Sequence, residues 1–247
     1  MPVDTEELVS RLRSARSLVV VTGAGVSAAS GVPTFRGDHG LWRQYRAEDL
    51  ATPEAFAHNP TLVWEWYDWR RRVIAACKPN PAHDLLAKWS ARPGFTLITQ
   101  NVDGLHERAG TRHVIRFHGS IWELRCAAGC GAADWEDRTV PLSPLPPLCR
   151  ECGGLARPGV VWFGEAIDSD VLERSSAAAA GADVFLSIGT SSLVYPAAGL
   201  LHVARRNGAF AAEINPGATG AAGDVDLAIA APAEDALPML DVRMRMG

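Results

Sequence analysis

The run Ser17-Leu18-Val19-Val20-Val21 passes without a break into Thr22-Gly23-Ala24-Gly25-Val26-Ser27-Ala28. A β-branched run ending in Gly-x-Gly reads as a buried strand that turns into a helix. Bare glycine backbone at such a turn can approach a phosphate, and the first amides of the helix supply partial positive charge. The third small position is Ala28 rather than glycine, a variation that dinucleotide-binding turns accept. Five more strand-sized apolar runs lie at 95–99, 114–117, 184–188, 210–214 and 225–230. Most lack polar alternation, which suits a parallel sheet covered on both faces. Helix-patterned stretches at 82–90, 169–180 and 196–206 fall between them. Alternating strand and helix predicts an α/β fold, a Rossmann-like doubly wound parallel sheet.

Two segments break this rhythm. Residues 35–81 are aromatic and helix-patterned, with Trp42, Trp64, Trp66 and Trp69, and residues 121–158 hold four of the five cysteines. Both read as insertions that pack together as a smaller helical plus zinc-binding domain. The expected boundaries are 1–36, 82–120 and 159–247 for the Rossmann-like unit, with 37–81 and 121–158 inserted. At the N-terminus, Asp4 or Thr5 is expected to cap a first helix that buries Leu8, Val9 and Leu12.

The formal charge of -4 gives no general attraction to nucleic acid or to anionic lipid. No apolar run approaches the roughly 20 residues a membrane span needs. The acidic, polar start is unlike a secretory signal. A soluble cytoplasmic protein with neither nucleic acid nor membrane as partner is expected.

The cysteines are spaced Cys126-x3-Cys130, then 18 residues, then Cys149-x2-Cys152, leaving Cys77 apart. Two close pairs at this separation can place four thiolates around one tetrahedral zinc; four reduced, buried cysteines without metal are the alternative. Four thiolates leave no coordination position for water or substrate, so such a metal is structural rather than catalytic.

After the second strand comes Thr99-Gln100-Asn101-Val102-Asp103-Gly104-Leu105-His106. Polar groups at a strand's C-terminal edge sit where open α/β sheets bind ligands. Asp103 alone could equally cap the next helix. Arg116-Phe117-His118-Gly119-Ser120 closes the third strand, which puts His118 at the same edge, where an imidazole titrating near neutrality can accept a proton.

The block from Thr22 through Pro33-Thr34-Phe35-Arg36-Gly37 resembles the cofactor signature of the sirtuins, the NAD-dependent protein deacylases. The Gln-Asn-Val-Asp-Gly-Leu-His string resembles a second sirtuin signature, and His118-Gly119 matches the catalytic histidine and the glycine after it. Gly159-Val160-Val161-Trp162-Phe163-Gly164-Glu165 and Gly189-Thr190-Ser191-Ser192-Leu193-Val194-Tyr195-Pro196 look like two more segments of the family. The cysteine set is similar to the sirtuin zinc module, although three residues separate the first pair where two are commoner.

The resemblance implies NAD bound by Gly23, Ala24, Gly25 and Ser27, with Thr34, Phe35, Arg36 and Trp42 from the loop that follows. It further implies nicotinamide and ribose contacts from Gln100, Asn101 and Asp103, and phosphate or ribose contacts from Gly189, Thr190 and Ser191. Asn215 matches an adenosine-ribose contact and Ala233 an adenine-edge contact. His118 and Asn101 take the catalytic roles. A substrate peptide carrying an acylated lysine adds as a strand beside Val160, Phe163, Gly164, Glu165 and Val194. The products are free lysine, nicotinamide and O-acyl-ADP-ribose.

In Trp64-Glu65-Trp66-Tyr67-Asp68-Trp69-Arg70-Arg71-Arg72, Tyr67 and Arg70 share a helix face. By itself the pattern reads as aromatic packing with solvated arginines. Class III sirtuins carry a Tyr-x-x-Arg pair facing the acyl-lysine tunnel, which implies a preference for succinyl- and malonyl-lysine over acetyl-lysine. Arg71 and Arg72 are expected to be solvated.

Three other readings share some of these features. A nicotinamide-dependent oxidoreductase needs an acidic ribose ligand about 20 residues past the glycines, where this chain has Arg43 and Gln44. A zinc ribbon reading nucleic acid needs a basic stripe, which the cysteine segment lacks. General deacetylation, or ADP-ribosyl transfer to protein, would use the same activated ribose.

Overall fold

The computed structural model describes residues 5–33, 42, 44–191, 195–217, 219–220 and 223–246. The chain runs through α1 (Glu6–Ser14), β1 (Leu18–Thr22), α2 (Gly25–Ala28), α3 (Ala47–Leu50), α4 (Pro53–His58), α5 (Pro60–Ala76) and α6 (Pro81–Trp89). Then come β2 (Phe95–Thr99), α7 (Leu105–Arg108), β3 (Val114–Arg116), β4 (Gly119–Cys126), β5 (Trp135–Glu136) and β6 (Ala156–Val160). The last third holds α8 (Ser169–Ala180), β7 (Val184–Ile188), α9 (Gly199–Arg206), β8 (Phe210–Ile214), β9 (Leu227–Ile229) and α10 (Ala233–Arg245).

Six strands form one sheet in the order β3-β2-β1-β7-β8-β9, and every pairing in it is parallel. Counting outward from β1, the chain fills one side and then jumps back to fill the other, so the winding reverses between β1 and β7. Side chains alternate across a strand. Leu18 and Val20 therefore enter one core cluster while Val19 and Val21 enter another on the opposite face. All five β1 residues are buried, which is why the run shows no polar alternation. Each fully buried Val or Leu contributes about 1.5–3 kcal/mol, so this central strand is a principal stabiliser of the lobe.

The expected strands agree with those observed to within a residue or two, the largest difference being 225–230, which narrows to Leu227–Ile229. The helix expected from 196 begins at Gly199. Leu8, Val9 and Leu12 of α1 are buried as expected, but Thr5 does not cap that helix with its side chain. Its hydroxyl instead accepts from Arg243 at 2.6 Å, tying the first helix to the last; Asp4 lies outside the described residues. Among the described residues, no helix is long and apolar enough to cross a membrane.

The smaller lobe combines α3–α5 with a three-stranded antiparallel sheet ordered β5-β4-β6. Thr52, Asn59 and Asn80 each accept from backbone amides at the starts of α4, α5 and α6, and each is followed by proline at the first helical position. Those caps satisfy amides that have no partner within the helix. The inward face of α5 buries Val63, Trp64, Trp66 and Tyr67 against Ile121, Trp122, Leu124 and Trp162. The Trp64 indole donates to the Ala156 carbonyl at 2.8 Å.

Arg71 corrects the expectation of a solvated side chain: it is 0% exposed. Its guanidinium donates to the carbonyls of Ile121, Asp137 and Thr139 and to the Asp137 carboxylate, and lies 5.2 Å from the Trp122 ring. Planar guanidinium with several fixed donors suits such a site, where loop carbonyls need partners away from water. Arg72 is half-exposed and pairs with Asp68, which also accepts from the Leu142 amide at 2.8 Å. Helix α5 is thus fastened to the cysteine-bearing segment at two points, on either side of Arg70.

Candidate active site

The reversal between β1 and β7 brings two glycine-bearing loops into contact. Gly25 donates to the Gly189 carbonyl at 2.8 Å, and Gly23 to the Ile188 carbonyl at 3.1 Å. A Cβ on Gly25 would sit 2.7 Å from the Gly189 backbone, and one on Gly23 would sit 2.8 Å from the Thr190 side chain. Gly189 has φ +60, in the left-handed region that favours glycine. Backbone therefore forms the floor of the crevice at the point where open α/β sheets bind ligands. Gln100 donates to the Thr190 hydroxyl at 2.9 Å and Asn215 to the Thr190 carbonyl at 2.8 Å, so the ends of β2, β7 and β8 are linked around it.

Beneath the floor lies a buried polar network. The Asn101 amide donates to the Gly23 carbonyl at 3.0 Å and to the Ser27 hydroxyl at 3.2 Å. Ser27 donates to the Asp103 carboxylate at 2.8 Å, whose other oxygen accepts from the Leu105 amide at 2.8 Å. Asp103 therefore links Ser27 of α2 to the first amide of α7. Burial pushes its carboxyl up from the usual range, against the pull of those two donors.

His83 and His106 sit behind this network with ring centres 4.8 Å apart, and both are buried. His83 Nδ1 accepts from the Asn80 amide at 3.3 Å, so Nε2 carries the hydrogen and faces the Ser27 hydroxyl at 3.4 Å. His106 Nε2 lies 3.0 Å from the Thr22 hydroxyl, which donates to Thr99. Burial brings His83 down to about 4 and His106 well below its ordinary value, so both rings are neutral. Neither was among the residues assigned a role from sequence. The only local signal for His83 is its place three residues after a helix-capping asparagine, and that says nothing about a distant loop.

His118 Nδ1 is 3.1 Å from the Gln100 carbonyl. A carbonyl only accepts, so Nδ1 holds the hydrogen and Nε2 keeps a free lone pair, the tautomer a general base requires. Burial lowers its pKa below the ordinary 6.5, with the Gln100 contact opposing. Gly119 follows with φ +76, and a Cβ there would meet the Gly159 carbonyl at 2.1 Å. That close antiparallel pairing of β4 with β6 fixes the direction in which the chain leaves His118.

From the smaller lobe, α5 presents Tyr67 and Arg70 on one face. The Arg70 guanidinium carbon lies 5.7 Å from the Tyr67 ring centre and 5.0 Å from that of Trp66. Burial pulls Arg70 below its ordinary pKa, and the nearby acidic groups Tyr67 and Asp103 oppose that pull. Burial pushes the Tyr67 phenol up to about 12, so it stays protonated at any physiological pH. Its oxygen accepts from the Trp162 indole at 2.9 Å.

Other candidate positions fall in different surroundings. Val160 is buried and pairs with Gly119 across β4 and β6, while Phe163 is 48% exposed beyond the strand end. Gly164 has φ +85 and open space around it. The Glu165 carboxylate is engaged by Arg157 at 2.5 and 2.8 Å and by the Trp162 backbone amide at 2.9 Å. Trp42 packs 6.3 Å from Trp69 within the smaller lobe, and Ala233 lies in the main core at the start of α10. Ser191 accepts from the Gly220 amide at 3.3 Å, and Ala24 is the residue before α2. Thr34, Phe35, Arg36 and Val194 lie outside the described residues.

The four sulfurs of Cys126, Cys130, Cys149 and Cys152 all lie within 4.8 Å of one another. Cys126 and Cys152 are 3.6 Å apart, and Cys130 and Cys149 are 3.7 Å apart. A tetrahedron with Zn–S bonds of about 2.3 Å has sulfur–sulfur edges of roughly 3.8 Å, so the set fits one zinc ion enclosed on all sides.

The chain is similar to known proteins over most of its length. Residues 23–196 match the Sir2 family. A protein of Aquifex aeolicus (strain VF5) named NAD-dependent protein deacylase is 55% identical over 201 residues, covering 81% of this chain and 83% of the relative. A solved complex of a Sir2 homolog with NAD is 44% identical with a TM-score of 0.92, covering 98% of this chain and 94% of the other. A mutant Sir2 homologue in complex with 2'-O-acetyl ADP ribose is 43% identical, also with a TM-score of 0.92, covering 98% and 96%.

Proposed function

Because the chain belongs to the Sir2 family, we infer that it is an NAD-dependent protein-lysine deacylase that favours acyl groups ending in a carboxylate, succinyl and malonyl above acetyl. The single observation that carries the acyl preference is the Tyr67–Arg70 face of α5, with the guanidinium 5.7 Å from the phenol ring. An arginine and a phenol hydroxyl in a confined, partly dry pocket can bind a carboxylate through charge-assisted hydrogen bonds. An acetyl group ends in a methyl and offers this pair no negative charge to bind, so it gains nothing from them.

Bound NAD supplies an activated ribose carbon and nicotinamide as the leaving group. Gly23, Ala24, Gly25, Gly189, Thr190 and Ser191 cradle its phosphates and ribose with backbone groups. Gln100, Asn101, Ser27 and Asp103 orient the nicotinamide end, while Asn215 and Ala233 reach the adenosine end. Thr34, Phe35, Arg36 and Trp42 also serve the cofactor, Phe35 and Arg36 by shielding the reactive ribose from water. His118 Nε2 takes a ribose hydroxyl proton, held in the correct tautomer by Gln100. The substrate chain adds as an extended strand beside Val160, Phe163, Gly164, Glu165 and Val194, which asks little of its sequence. The products are free lysine, nicotinamide and O-acyl-ADP-ribose.

The Rossmann-like unit comprises 1–36, 82–120 and 159–247, with 37–81 and 121–158 as the inserted domain. A set of reduced thiolates suits a reducing cytoplasm. The experiment that tests the acyl preference is Arg70→Met, assayed on one peptide carrying either succinyl- or acetyl-lysine. Desuccinylation should fall by about tenfold or more relative to deacetylation. Equal losses on the two substrates would reduce the pair to a packing role.

A further inference from the structure

Tyr67 is one of the largest fully buried side chains, yet among the described residues its hydroxyl has a single hydrogen-bond partner, and that partner is a donor. The Trp162 indole gives its hydrogen to the phenol oxygen at 2.9 Å. Among the described residues, the phenol's own hydrogen meets no acceptor. A phenol hydrogen prefers the ring plane, with two positions on either side of the oxygen. A donor seated on one side leaves the other for the hydrogen.

The Trp162 ring is itself held firmly. Arg157 lies 3.5 Å from the ring centre on one side, and Phe56 has its ring centre 5.3 Å away. The Trp162 backbone amide donates to Glu165, and the same carboxylate is gripped by Arg157, which also donates to the Val160 carbonyl at 3.1 Å. Trp162 is 3% exposed, so water does not compete for its indole hydrogen.

We propose that Trp162 is a positioning residue for acyl specificity: its indole hydrogen occupies the Tyr67 oxygen and so aims the phenol hydrogen, as donor, at the carboxylate of the acyl group. This rests on the reading of Tyr67 and Arg70 as the acyl-carboxylate pair. A hydroxyl that already accepts a hydrogen bond donates a stronger one, because the two bonds polarise each other. Without the indole, the phenol hydrogen could rotate away and present a lone pair to a negative charge. A plain acetyl methyl end makes no use of that hydrogen. The phenol, pushed up to about 12 by burial, keeps its hydrogen throughout.

The test is a double-mutant cycle read as the ratio of kcat/KM on succinyl- and acetyl-lysine forms of one peptide. Trp162→Phe keeps an aromatic ring against Arg157 and Phe56 and removes the donor along with part of the ring, a loss of packing that should weigh on both peptides alike. It should lower the ratio about tenfold, roughly 1.4 kcal/mol, through a higher KM for the succinyl peptide. Tyr67→Phe should lower the ratio as well, and adding Trp162→Phe to it should lower the ratio no further. Equal losses on both peptides, or additive losses in the double variant, would overturn the proposal and leave the indole a packing group. If the unaltered enzyme shows no succinyl preference, the reading of Tyr67 and Arg70 falls first, and this inference with it. Should Trp162→Phe fail to fold, the indole region of a nitrogen-15 spectrum carries the test. One of the eight tryptophan signals must move in Tyr67→Phe, and that same signal must move with succinyl peptide but not with acetyl peptide. A signal unmoved by either would also overturn the proposal.

Discussion

Two halves of one crevice are built by different means. On the main-lobe side, backbone meets backbone: Gly25 and Gly189 pack so closely that a single added Cβ would collide at 2.7 Å. On the smaller-lobe side, long side chains reach across loops. Arg71 joins α5 to carbonyls 50, 66 and 68 residues away, and Trp162 reaches Tyr67 across 95. The first kind of construction shows in sequence because only one residue type allows the approach. The second kind hides, because many residue types could occupy the position and the partner is distant along the chain.

The sharpest way to break the comparison is to remove the metal from the smaller lobe and see whether the main lobe survives. Cys149 is buried among the four thiolates, so Cys149→Ala should abolish zinc retention by elemental analysis and collapse the near-ultraviolet tryptophan signal. Structural zinc sites in small peptides contribute about 10–16 kcal/mol at neutral pH, far more than a loop rich in proline can replace. Full zinc content with full activity would show that the cluster is not a closed metal site.

Next in size is His118→Tyr, which removes the proton acceptor while leaving both glycine loops intact. Turnover should fall on the order of 100- to 10,000-fold, with the Kd for NAD by calorimetry changed little. A wild-type rate would move the catalytic role off this ring. Arg71→Met tests the side-chain construction directly, since it strands three carbonyls and the Asp137 carboxylate. It should destabilise the protein by about 3 kcal/mol in denaturant titration; a loss below about 1 kcal/mol would mean the guanidinium is solvated after all. Gly25→Ala tests the backbone construction. It should cost about 1–3 kcal/mol through overpacking and weaken NAD binding as the loop shifts.

The smallest effect is a pH slope. Unfolded histidine takes up a proton near 6.5, whereas buried His83 resists protonation down to about 4. Within that window the unfolded state binds the extra proton, so stability is present above 6.5 and is lost as pH falls. The slope is about 1.4 kcal/mol per pH unit for one such group. Asp103, whose pKa is raised, acts in the opposite sense at the acid end. His83→Gln should flatten the slope in thermal melts between pH 6.5 and 5.5, and an unchanged slope would assign the protonation-resistant group to another residue such as His106.

Much of the fold was legible because hydrophobic runs in a parallel sheet covered on both faces have few alternative readings. The six strands, the zinc ligands and the glycine loops each follow from a local constraint: burial on two faces, thiolate spacing, close backbone approach. The failures share a different origin. Thr5 has a good capping side chain but finds a better partner in Arg243, 238 residues away. Arg71 sits in a run of three arginines that looks solvated, and only the loop folding over α5 buries it. His83 and Trp162 likewise acquire their roles from residues that meet them only in three dimensions.

The most direct measurement offers the purified enzyme one peptide, modified at one lysine with succinyl or with acetyl, with and without NAD, and follows the products by mass spectrometry. Succinyl removal should require NAD, release O-succinyl-ADP-ribose and exceed acetyl removal in kcat/KM by about tenfold or more. Equal or greater efficiency on the acetyl peptide would contradict the role given to Tyr67 and Arg70, and removal without NAD would contradict the whole account.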